Sequence, residues 1–557
     1  MRTKKISLPV KTGTFILMFA LIFSLSCNAA TKKMSSRPNI VFILVDDMGW
    51  KDLGCYGSTF YETPHIDKLA SQGMKFLDAY ASSTVCSPSR SSIMTGQYPV
   101  HTGITDWIIG RQNSSSGPSP NQKLLPKPFV YNLDTAQVTI AEALKRAGYA
   151  TCFAGKWHLG LSPEYWPENQ GFDYNYGGWA AGNPRAHGMG GYFSPYHNPR
   201  LKDGPKGEFL PDRLTTEIIR FIKQQVKTGK PFFADLSFYA VHEPIKAKKE
   251  YIEKFKEKAR RMGLDTMQQF IKLTPGMQET SGWKTERIVQ SNPVYAGLIY
   301  SIDENVGRIL TTLEKLGIAD NTIIVFTSDN GGLSTSSNAP TTNYPLRYGK
   351  GWTYDGGIRI PLIIKWPGVT REGTVCRYPV VNTDFYPTLL QMTGLPLMPQ
   401  QHKDGISLVP LLMGKQNIDQ AVIYWHYPHY HGAGCTPGSA IRAGDWKLLQ
   451  FYEDNHVELY NLRTDIEERR DLSKAFPGKT AILLSKLNHW KYKVHAKIPW
   501  INPYYNPYMI DHYIKQYGRA KLPQYLRKYD SLFSKDVYDP ALRKSLMEQY
   551  HKLYNLR

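Results

Sequence analysis

The chain has 557 residues, of which 41% are hydrophobic and 21% are charged. This is the composition of a globular protein with a sizeable core, and it excludes an intrinsically disordered chain. The 68 Lys and Arg residues exceed the 47 Asp and Glu residues, and the net charge of +21 favours anionic partners such as acidic polysaccharides, anionic membranes or nucleic acid. The sequence carries no zinc-finger spacing or other nucleic-acid motif, so we expect no nucleic-acid partner.

The N-terminus predicts export. Residues 1–27 are typical of a signal peptide, because basic residues precede an apolar run, 14–25, that is too short to span a bilayer comfortably. The tetrapeptide that ends at Cys27 resembles a bacterial lipobox, which would place a lipid on Cys27, whereas cleavage near 28–30 would release an unanchored protein. We therefore expect a periplasmic protein, an outer-membrane lipoprotein or a secreted protein, with a lipid on Cys27 as its only membrane attachment. The six cysteines are too few for a disulfide scaffold.

Strands and helices alternate along the chain after this signal. Apolar, β-branched runs predict strands at 39–45, 149–153, 231–238 and 322–327. Periodic apolar residues that stop before a glycine predict helices at 137–146 and 294–316. This alternation is typical of an α/β fold with a large, mostly parallel central sheet flanked by helices.

Polar residues follow the ends of the predicted strands. Asp46 and Asp47 come directly after the first strand, and Asp329 and Asn330 follow the last one. Parallel sheets bind ligands at the carboxyl ends of their strands, so we expect these side chains to meet in one site. Adjacent buried carboxylates repel each other unless a cation lies between them, and a set of oxygen donors suits Ca²⁺ or Mg²⁺ better than zinc. The alternative for 329–332 alone is a turn, because Asn-Gly and Gly-Gly favour turns.

The sequence changes character at about residue 420. Tyr and His become frequent, and 439–449 has the pattern of a hairpin. We therefore expect a catalytic domain at 38–420, a smaller C-terminal subdomain with an antiparallel sheet at 421–508, and a basic, helical extension at 509–557.

Several short motifs carry a family resemblance. A Cys-x-Pro-x-Arg pentapeptide at 86–90 favours, by itself, a turn that leads into a helix with a buried thiol. It is accompanied by Thr-Gly at 95–96, Gly-Lys-Trp-His-Leu-Gly at 155–160, Val-His-Glu-Pro at 241–244 and Gly-Lys-Gly at 349–351. With the polar pairs after the strands, these motifs resemble the type I, formylglycine-dependent sulfatases of the alkaline phosphatase superfamily, over residues 38–507. The resemblance implies an alkaline phosphatase-like fold.

The resemblance also implies a nucleophile and a metal site. A maturation enzyme would oxidise Cys86 to formylglycine (3-oxoalanine), whose hydrate would bind the metal and attack sulfur, and Asp329 would accept the proton. An ordinary serine would become sulfated without an internal route for release, which is why an aldehyde is needed. The implied metal ligands are Asp46, Asp47, Cys86, Asp329 and Asn330, and the implied metal is Ca²⁺, with Mg²⁺ as the alternative.

Basic side chains would complete the catalytic set, which is Cys86, Arg90, Lys156, His158, His242 and Lys350. His242, with Lys350, would protonate the leaving oxygen, and His158 would assist the release of sulfate. Arg90 would anchor the formylglycine and the metal ligands, while the two lysines would meet the sulfate oxygens.

Six candidates for substrate binding lie in predicted loops: Arg111, Trp179, Arg185, His187, His426 and His429. The first four suit a sugar through aromatic stacking and Arg pairing, and the alternative is that they are exposed loop residues without a role. For the two histidines we favour a substrate-facing loop over a second metal site, with plain packing as the alternative.

The expected function is hydrolysis of sulfate esters on a sulfated carbohydrate, with a galactose or N-acetylgalactosamine 4-sulfate as the expected target. Basic charge, export and the resemblance to bacterial glycan sulfatases, arylsulfatase A and N-acetylgalactosamine sulfatases support the carbohydrate. The alternatives are a phosphonate or phosphodiester hydrolase of the same superfamily and a non-catalytic protein that binds sulfated glycans.

Overall fold

The computed structural model describes residues 37–109, 122–272, 285–336, 338–416, 418, 422–502 and 505. The predicted signal peptide with Cys27, the candidate Arg111 and the predicted extension at 509–557 lie outside these residues. Among the described helices, none is long and apolar enough to cross a lipid bilayer.

The strands are β1 (Asn39–Val45), β2 (Met74–Tyr80), β3 (Leu124–Leu125), β4 (Ala150–Gly155), β5 (Tyr174–Tyr176), β6 (Phe232–Ser237), β7 (Phe270–Lys272), β8 (Thr285–Arg287), β9 (Thr322–Ser328), β10 (Arg359–Lys365), β11 (Thr374–Cys376), β12 (Val380–Val381), β13 (Val422–Tyr427), β14 (Gly438–Ala443), β15 (Trp446–Phe451), β16 (Val457–Asn461) and β17 (Trp500–Ile501). The helices are α1 (Pro64–Ser71), α2 (Cys86–Thr95), α3 (Pro99–Thr102), α4 (Ile140–Arg146), α5 (Leu210–Thr228), α6 (Lys249–Arg261), α7 (Pro293–Lys315), α8 (Asp355–Ile358), α9 (Phe385–Met392), α10 (Val409–Leu412) and α11 (Pro477–Lys493).

A large mixed sheet forms the centre of the fold. Its strand order is β11-β2-β10-β9-β1-β6-β4-β5, and β12 also pairs with β2. The five strands β9, β1, β6, β4 and β5 run parallel, whereas β10 is antiparallel to both of its neighbours, β9 and β2. The predicted α/β fold with a mostly parallel sheet is confirmed.

Helices cover both faces of this sheet, which explains why its central strand β1 is apolar at every position from Ile40 to Val45. Successive side chains of a strand point to opposite faces. Val41 and Ile43 of β1 therefore pack in one core, with α5, α6 and α7, and Ile40 and Phe42 pack in the other, with α2, α4 and α9. All seven residues of β1 are buried.

The helix predicted at 137–146 begins later, at Ile140, because Thr139 caps it. The Thr139 hydroxyl accepts from the backbone N–H of Glu142 at 3.1 Å, and the Glu142 carboxylate accepts from the Thr139 N–H at 2.8 Å. This reciprocal capping box stops the helix from extending backwards.

The predicted smaller sheet near the C-terminus is also confirmed. Strands β13, β14, β15 and β16 form an antiparallel meander, and the β14–β15 turn falls within the predicted hairpin. Leu483 and Leu487 of α11 pack against this sheet, in a core that also contains Tyr80 of the large sheet. The domain boundaries at 420 and 508 stay predictions.

Candidate active site

Three buried carboxylates meet where two neighbouring parallel strands end. Val45 of β1 lies opposite Ser328 of β9, so Asp46 and Asp47 emerge beside Asp329. Oxygen atoms of the three carboxylates lie within 4.8 Å of one another. The parallel register therefore creates the acidic cluster that the strand-end residues suggest.

Each carboxylate of this cluster has a basic partner. Lys156 donates to both oxygens of Asp46, at 2.9 and 2.7 Å. Arg90 donates from Nε to Asp329 at 2.8 Å, and Lys350 donates to Asp47 at 2.8 Å. All of these side chains are buried, so each carboxyl group has a basic partner in a region of low dielectric.

The pKa shifts reflect burial opposed by these partners. Burial raises the pKa of Asp46 well above its ordinary value, although Lys156 acts against it. Burial also acts to raise the pKa of Asp47, but Lys350 and then His242 outweigh it and the net shift is downward. The cluster therefore holds Asp47 as a carboxylate.

The donor set fits a hard divalent cation. Asn330 donates from Nδ2 to Asp47 Oδ1 at 2.8 Å. The side-chain oxygen of Asn330, Oδ1, therefore points away from that contact. That Oδ1 is buried and has no hydrogen-bond partner among the residues the structure describes. Buried polar atoms normally have a partner, and a carbonyl-type oxygen beside three carboxylates is a ligand that Ca²⁺ or Mg²⁺ prefers.

Cys86 is the first residue of α2, and Arg90 follows it by one turn. Residues four apart lie on the same face of a helix. Arg90 uses this position to reach Asp329, and it also donates from Nη1 to the Lys156 carbonyl at 2.7 Å. Cys86 is only 3% exposed, and burial raises its thiol pKa while Lys156 and Lys350 act to lower it. The helix thus joins the candidate nucleophile and the acidic cluster in one rigid unit.

His242 and Lys350 form a pair at the side of Asp47. The Lys350 ammonium lies 3.0 Å from His242 Nε2, and His242 Nδ1 donates to the Glu243 carbonyl at 2.7 Å. Burial, followed by the charge of Lys350, lowers the pKa of His242 to about 3. The imidazole is therefore neutral, with Nε2 as an acceptor from Lys350.

His158 lies on the other side of the site. Its Nε2 hydrogen-bonds to the Ile108 carbonyl, and its Nδ1 is buried without a partner among the described residues. A Cβ on Gly182 would come within 2.3 Å of the ring, so only glycine fits against it. Burial, followed by Lys156, lowers the pKa of His158 well below its ordinary value.

The loop after β5 borders His158. The His158 N–H donates to the Trp179 carbonyl at 3.2 Å, and the rings of Trp179 and His187 lie 5.6 Å apart. Arg185 is exposed in the same loop. Three of the predicted substrate residues thus lie in one loop, whose backbone contacts His158 through Trp179.

The two histidines of the C-terminal subdomain are placed differently. His426 lies in β13 rather than in a loop, is buried, and contacts the Ser439 hydroxyl at 2.8 Å and the Tyr452 hydroxyl at 2.9 Å. His429 is buried as well, and its Nε2 lies 2.9 Å from the Thr105 hydroxyl. Both histidines therefore make internal hydrogen bonds, as expected if they pack inside the protein and do not face the substrate.

Asn382 has a site role that the sequence did not indicate. Its side chain donates to the Ser89 hydroxyl at 2.7 Å and accepts from the Ser82 N–H at 3.1 Å. It thereby ties together the segments before and after Cys86. Asn382 stands alone after β12 without a motif around it, and only the folded chain brings it to the site.

Comparison with known proteins identifies the family. Residues 38–395 match the Sulfatase family model, and 346–490 match the model described as N-sulphoglucosamine sulphohydrolase, C-terminal. A sulfatase of Formosa agariphila is 33% identical over 562 residues, which covers 87% of this chain and 95% of that protein. The N-acetylgalactosamine-6-sulfatase of Canis lupus familiaris is 31% identical over 410 residues, which covers 70% and 68% of the two chains. The solved structure of Ps i-CgsB in complex with k-i-k-neocarrahexaose superposes with a TM-score of 0.66 at 27% identity, over 88% of this chain and 100% of that one.

The sheet, the acidic cluster and the basic side chains around it define a hydrolase of the alkaline phosphatase superfamily. Within it, the chain belongs to the sulfatase family and is a sulfuric ester hydrolase.

Proposed function

We propose that this protein hydrolyses sulfate esters of a sulfated carbohydrate, with a formylglycine made from Cys86 as its nucleophile and a divalent cation, Ca²⁺ or Mg²⁺, held by Asp46, Asp47, Asp329 and Asn330. The observation that carries this proposal is the geometry of α2. The helix begins at Cys86, and Arg90 one turn later is hydrogen-bonded to Asp329. The candidate nucleophile Cys86 and the proposed metal ligand Asp329 are therefore linked through the same helix, α2.

The charge balance supports an anionic substrate. Three acidic side chains are paired with three basic ones: Arg90, Lys156 and Lys350. A bound divalent cation would add two positive charges, which leaves the site net positive and able to attract a sulfate ester. When bound, the cation would polarise sulfate and lower the pKa of a coordinated hydroxyl, and the aldehyde would supply a nucleophile that regenerates itself.

The chain's own side chains would then manage charge and protons. Lys156 and Lys350 would lie beside the sulfate oxygens and stabilise the charge that develops on them. Lys350 donates a hydrogen bond to Nε2 of His242, so the Lys350 ammonium would supply the proton that reaches the leaving oxygen and His242 would orient that ammonium. His158 would act through Nδ1, because its Nε2 already contacts a backbone carbonyl.

For the sugar, we propose a galactose or N-acetylgalactosamine residue. The named relative from dog is an N-acetylgalactosamine-6-sulfatase, and the similar solved structure holds a neocarrahexaose. The Trp179 and His187 rings contact each other in the loop whose backbone meets His158, and their aromatic surface suits stacking on a sugar ring. The name of the relative specifies a 6-sulfate, whereas the sequence-based expectation is a 4-sulfate. The experiment below therefore compares both positions of the ester.

Matured enzyme should cleave an aryl sulfate faster than the matching aryl phosphonate. It should also release sulfate from one of two isomers, N-acetylgalactosamine 4-sulfate or 6-sulfate, in preference to the other. Initial rates measured by ion chromatography of released sulfate and phosphonate products would test this. Faster phosphonate cleavage would instead support the phosphonate hydrolase, and binding of both sugars without turnover would support the glycan-binding protein.

Removal of divalent cations should lower the melting temperature. A cation bound only by the folded state stabilises it by about 2.7 kcal/mol when present at a hundred times its Kd. We expect Ca²⁺ or Mg²⁺ to restore the melting temperature of chelated protein, and Asp47→Asn to lose most of this response. Asp445→Asn, at a half-exposed carboxylate in the β14–β15 turn, is the matched control and should respond like the wild type. A wild-type melting temperature that neither cation changes would contradict the metal site.

A further inference from the structure

Segment 105–108 runs from the C-terminal subdomain to the active site. At its first end, the Tyr427 hydroxyl at the end of β13 donates to Asp106 Oδ1 at 2.7 Å. His429 lies two residues further along, with Nε2 at 2.9 Å from the Thr105 hydroxyl and Nδ1 at 3.9 Å from Asp106 Oδ2. Asp106 and His429 are each only 2% exposed. Tyr427 and His429 therefore hold Thr105 and Asp106 in place through buried polar contacts.

The other end of the segment meets the catalytic groups through its backbone. The Ile108 N–H donates to the hydroxyl of Ser87, the residue after Cys86, at 3.1 Å. The Ile108 carbonyl accepts from Nε2 of His158. A carbonyl can only accept, so this contact places the proton of a neutral His158 on Nε2 and leaves Nδ1 with a lone pair.

We infer that Tyr427 and His429 are positioning residues that fix the tautomer of His158 through the backbone of segment 105–108. The inference rests on the proposed function for its catalytic meaning. Asp106 Oδ1 also accepts from the Trp107 N–H at 2.9 Å, so the carboxylate that Tyr427 holds orients the Asp106–Trp107 peptide, which lies two peptide groups before the Ile108 carbonyl. Without this hold, the Ser87 hydroxyl alone restrains Ile108 on that side, so the Ile108 carbonyl turns more easily and His158 can place its proton on either nitrogen.

The tautomer decides what His158 can do. Its Nδ1 is the ring nitrogen that has no partner among the described side chains and backbone, so it is the one available to take a proton from a reacting group. In the other tautomer, Nδ1 carries the proton and cannot act as a base. The C-terminal sheet therefore contributes to turnover without touching the substrate.

Tyr427→Phe is the variant that tests the inference, because it removes the hydroxyl donated to Asp106 and keeps the buried ring. With an aryl sulfate, we expect kcat to fall about tenfold, less than the roughly 10²–10⁴-fold contributed by an acid–base group, because the variant only mixes the tautomers of His158, while KM changes less than about twofold. Tyr424→Phe is the matched control. It removes a hydroxyl from the same strand but on the opposite face, where the Tyr424 ring stacks on Trp490 at 4.7 Å, and should leave kcat unchanged.

The tautomer itself is read by NMR of protein labelled with ¹⁵N in its histidine rings, with the His158 signals assigned by their loss in His158→Ala. We expect a protonated Nε2 in the wild type and a mixture of tautomers in Tyr427→Phe. Thr105→Val removes the hydroxyl contacted by His429 and should shift the tautomer in the same direction, which keeps the test available if Tyr427→Phe does not fold.

A proton on Nδ1 in the wild type, or an unchanged tautomer in a folded Tyr427→Phe or Thr105→Val variant, would overturn the inference. A shifted tautomer with unchanged kcat would overturn its catalytic meaning. The two proposals fail separately: wild-type protein that hydrolyses no sulfate ester would refute the proposed function, while the NMR spectra would still show whether Tyr427 sets the tautomer.

Discussion

Replacing Cys86 by alanine should abolish turnover of every sulfate ester while the protein stays folded. Removal of a nucleophile from a preorganised site lowers kcat by about 10⁴-fold or more, because the remaining groups then act only on uncatalysed attack by water. Arg90, Lys156 and Lys350 would still hold the acidic cluster, since their hydrogen bonds to Asp329, Asp46 and Asp47 do not involve the thiol. Turnover of an aryl sulfate and the melting temperature are the two measurements.

Cys152→Ala provides the matched control for this variant. Cys152 lies in β4 and is fully buried in the core, so its loss removes the same atoms without touching the acidic cluster. We expect this variant to keep its activity and lose some stability.

Mass spectrometry of the wild-type peptide that contains residue 86 should show a loss of about 18 Da on conversion of the thiol to an aldehyde. Comparable turnover by Cys86→Ala would contradict the proposed mechanism.

Replacing Lys447 by methionine should destabilise the fold more than any surface substitution. The Lys447 ammonium is fully buried and lies 2.8 Å from both Asp355 and Glu468. Asp355 also accepts from the Tyr80 hydroxyl at 2.8 Å, so the cluster joins β15 of the small sheet to β2 of the large one. Removal of Lys447 leaves the buried Glu468 without a basic partner in the part of the chain that the structure describes and leaves Asp355 with Arg359 at 3.4 Å, and breaking a buried ion pair in this way costs about 3–5 kcal/mol.

The measurement is the free energy of unfolding from urea denaturation. Lys486→Met, on the exposed side of α11, makes the same chemical change without burial and should alter the free energy by less than about 0.5 kcal/mol. If Lys447→Met unfolds at the same urea concentration as Lys486→Met, the buried cluster does not hold the two sheets together.

The acidic cluster could be predicted from the sequence because its causes are local. Asp46 and Asp329 each follow an apolar run that is recognisable as a buried strand, and parallel strands present their carboxyl ends at one edge. The capping box at Thr139 was equally visible in the sequence, as Thr-x-x-Glu before an apolar run, although the helix was predicted to start earlier.

The roles of His426 and His429 could not be read in this way. Their partners, such as Tyr452 and Thr105, come from other strands and loops, and no spacing in the sequence relates them. The same holds for Ile108, which contributes to the site only through its backbone, where the side chain carries no signal.

The sequence by itself predicted the alternation of strands and helices, the acidic side chains at the strand ends, and the family, because these depend on residue type and on short-range periodicity. The tertiary structure decided which charges pair, which polar atoms are left without a partner, and which tautomer each histidine adopts. These properties depend on distances of a few ångströms between residues that are far apart in the chain, as between Asp46 and Lys156, and only close packing fixes such distances.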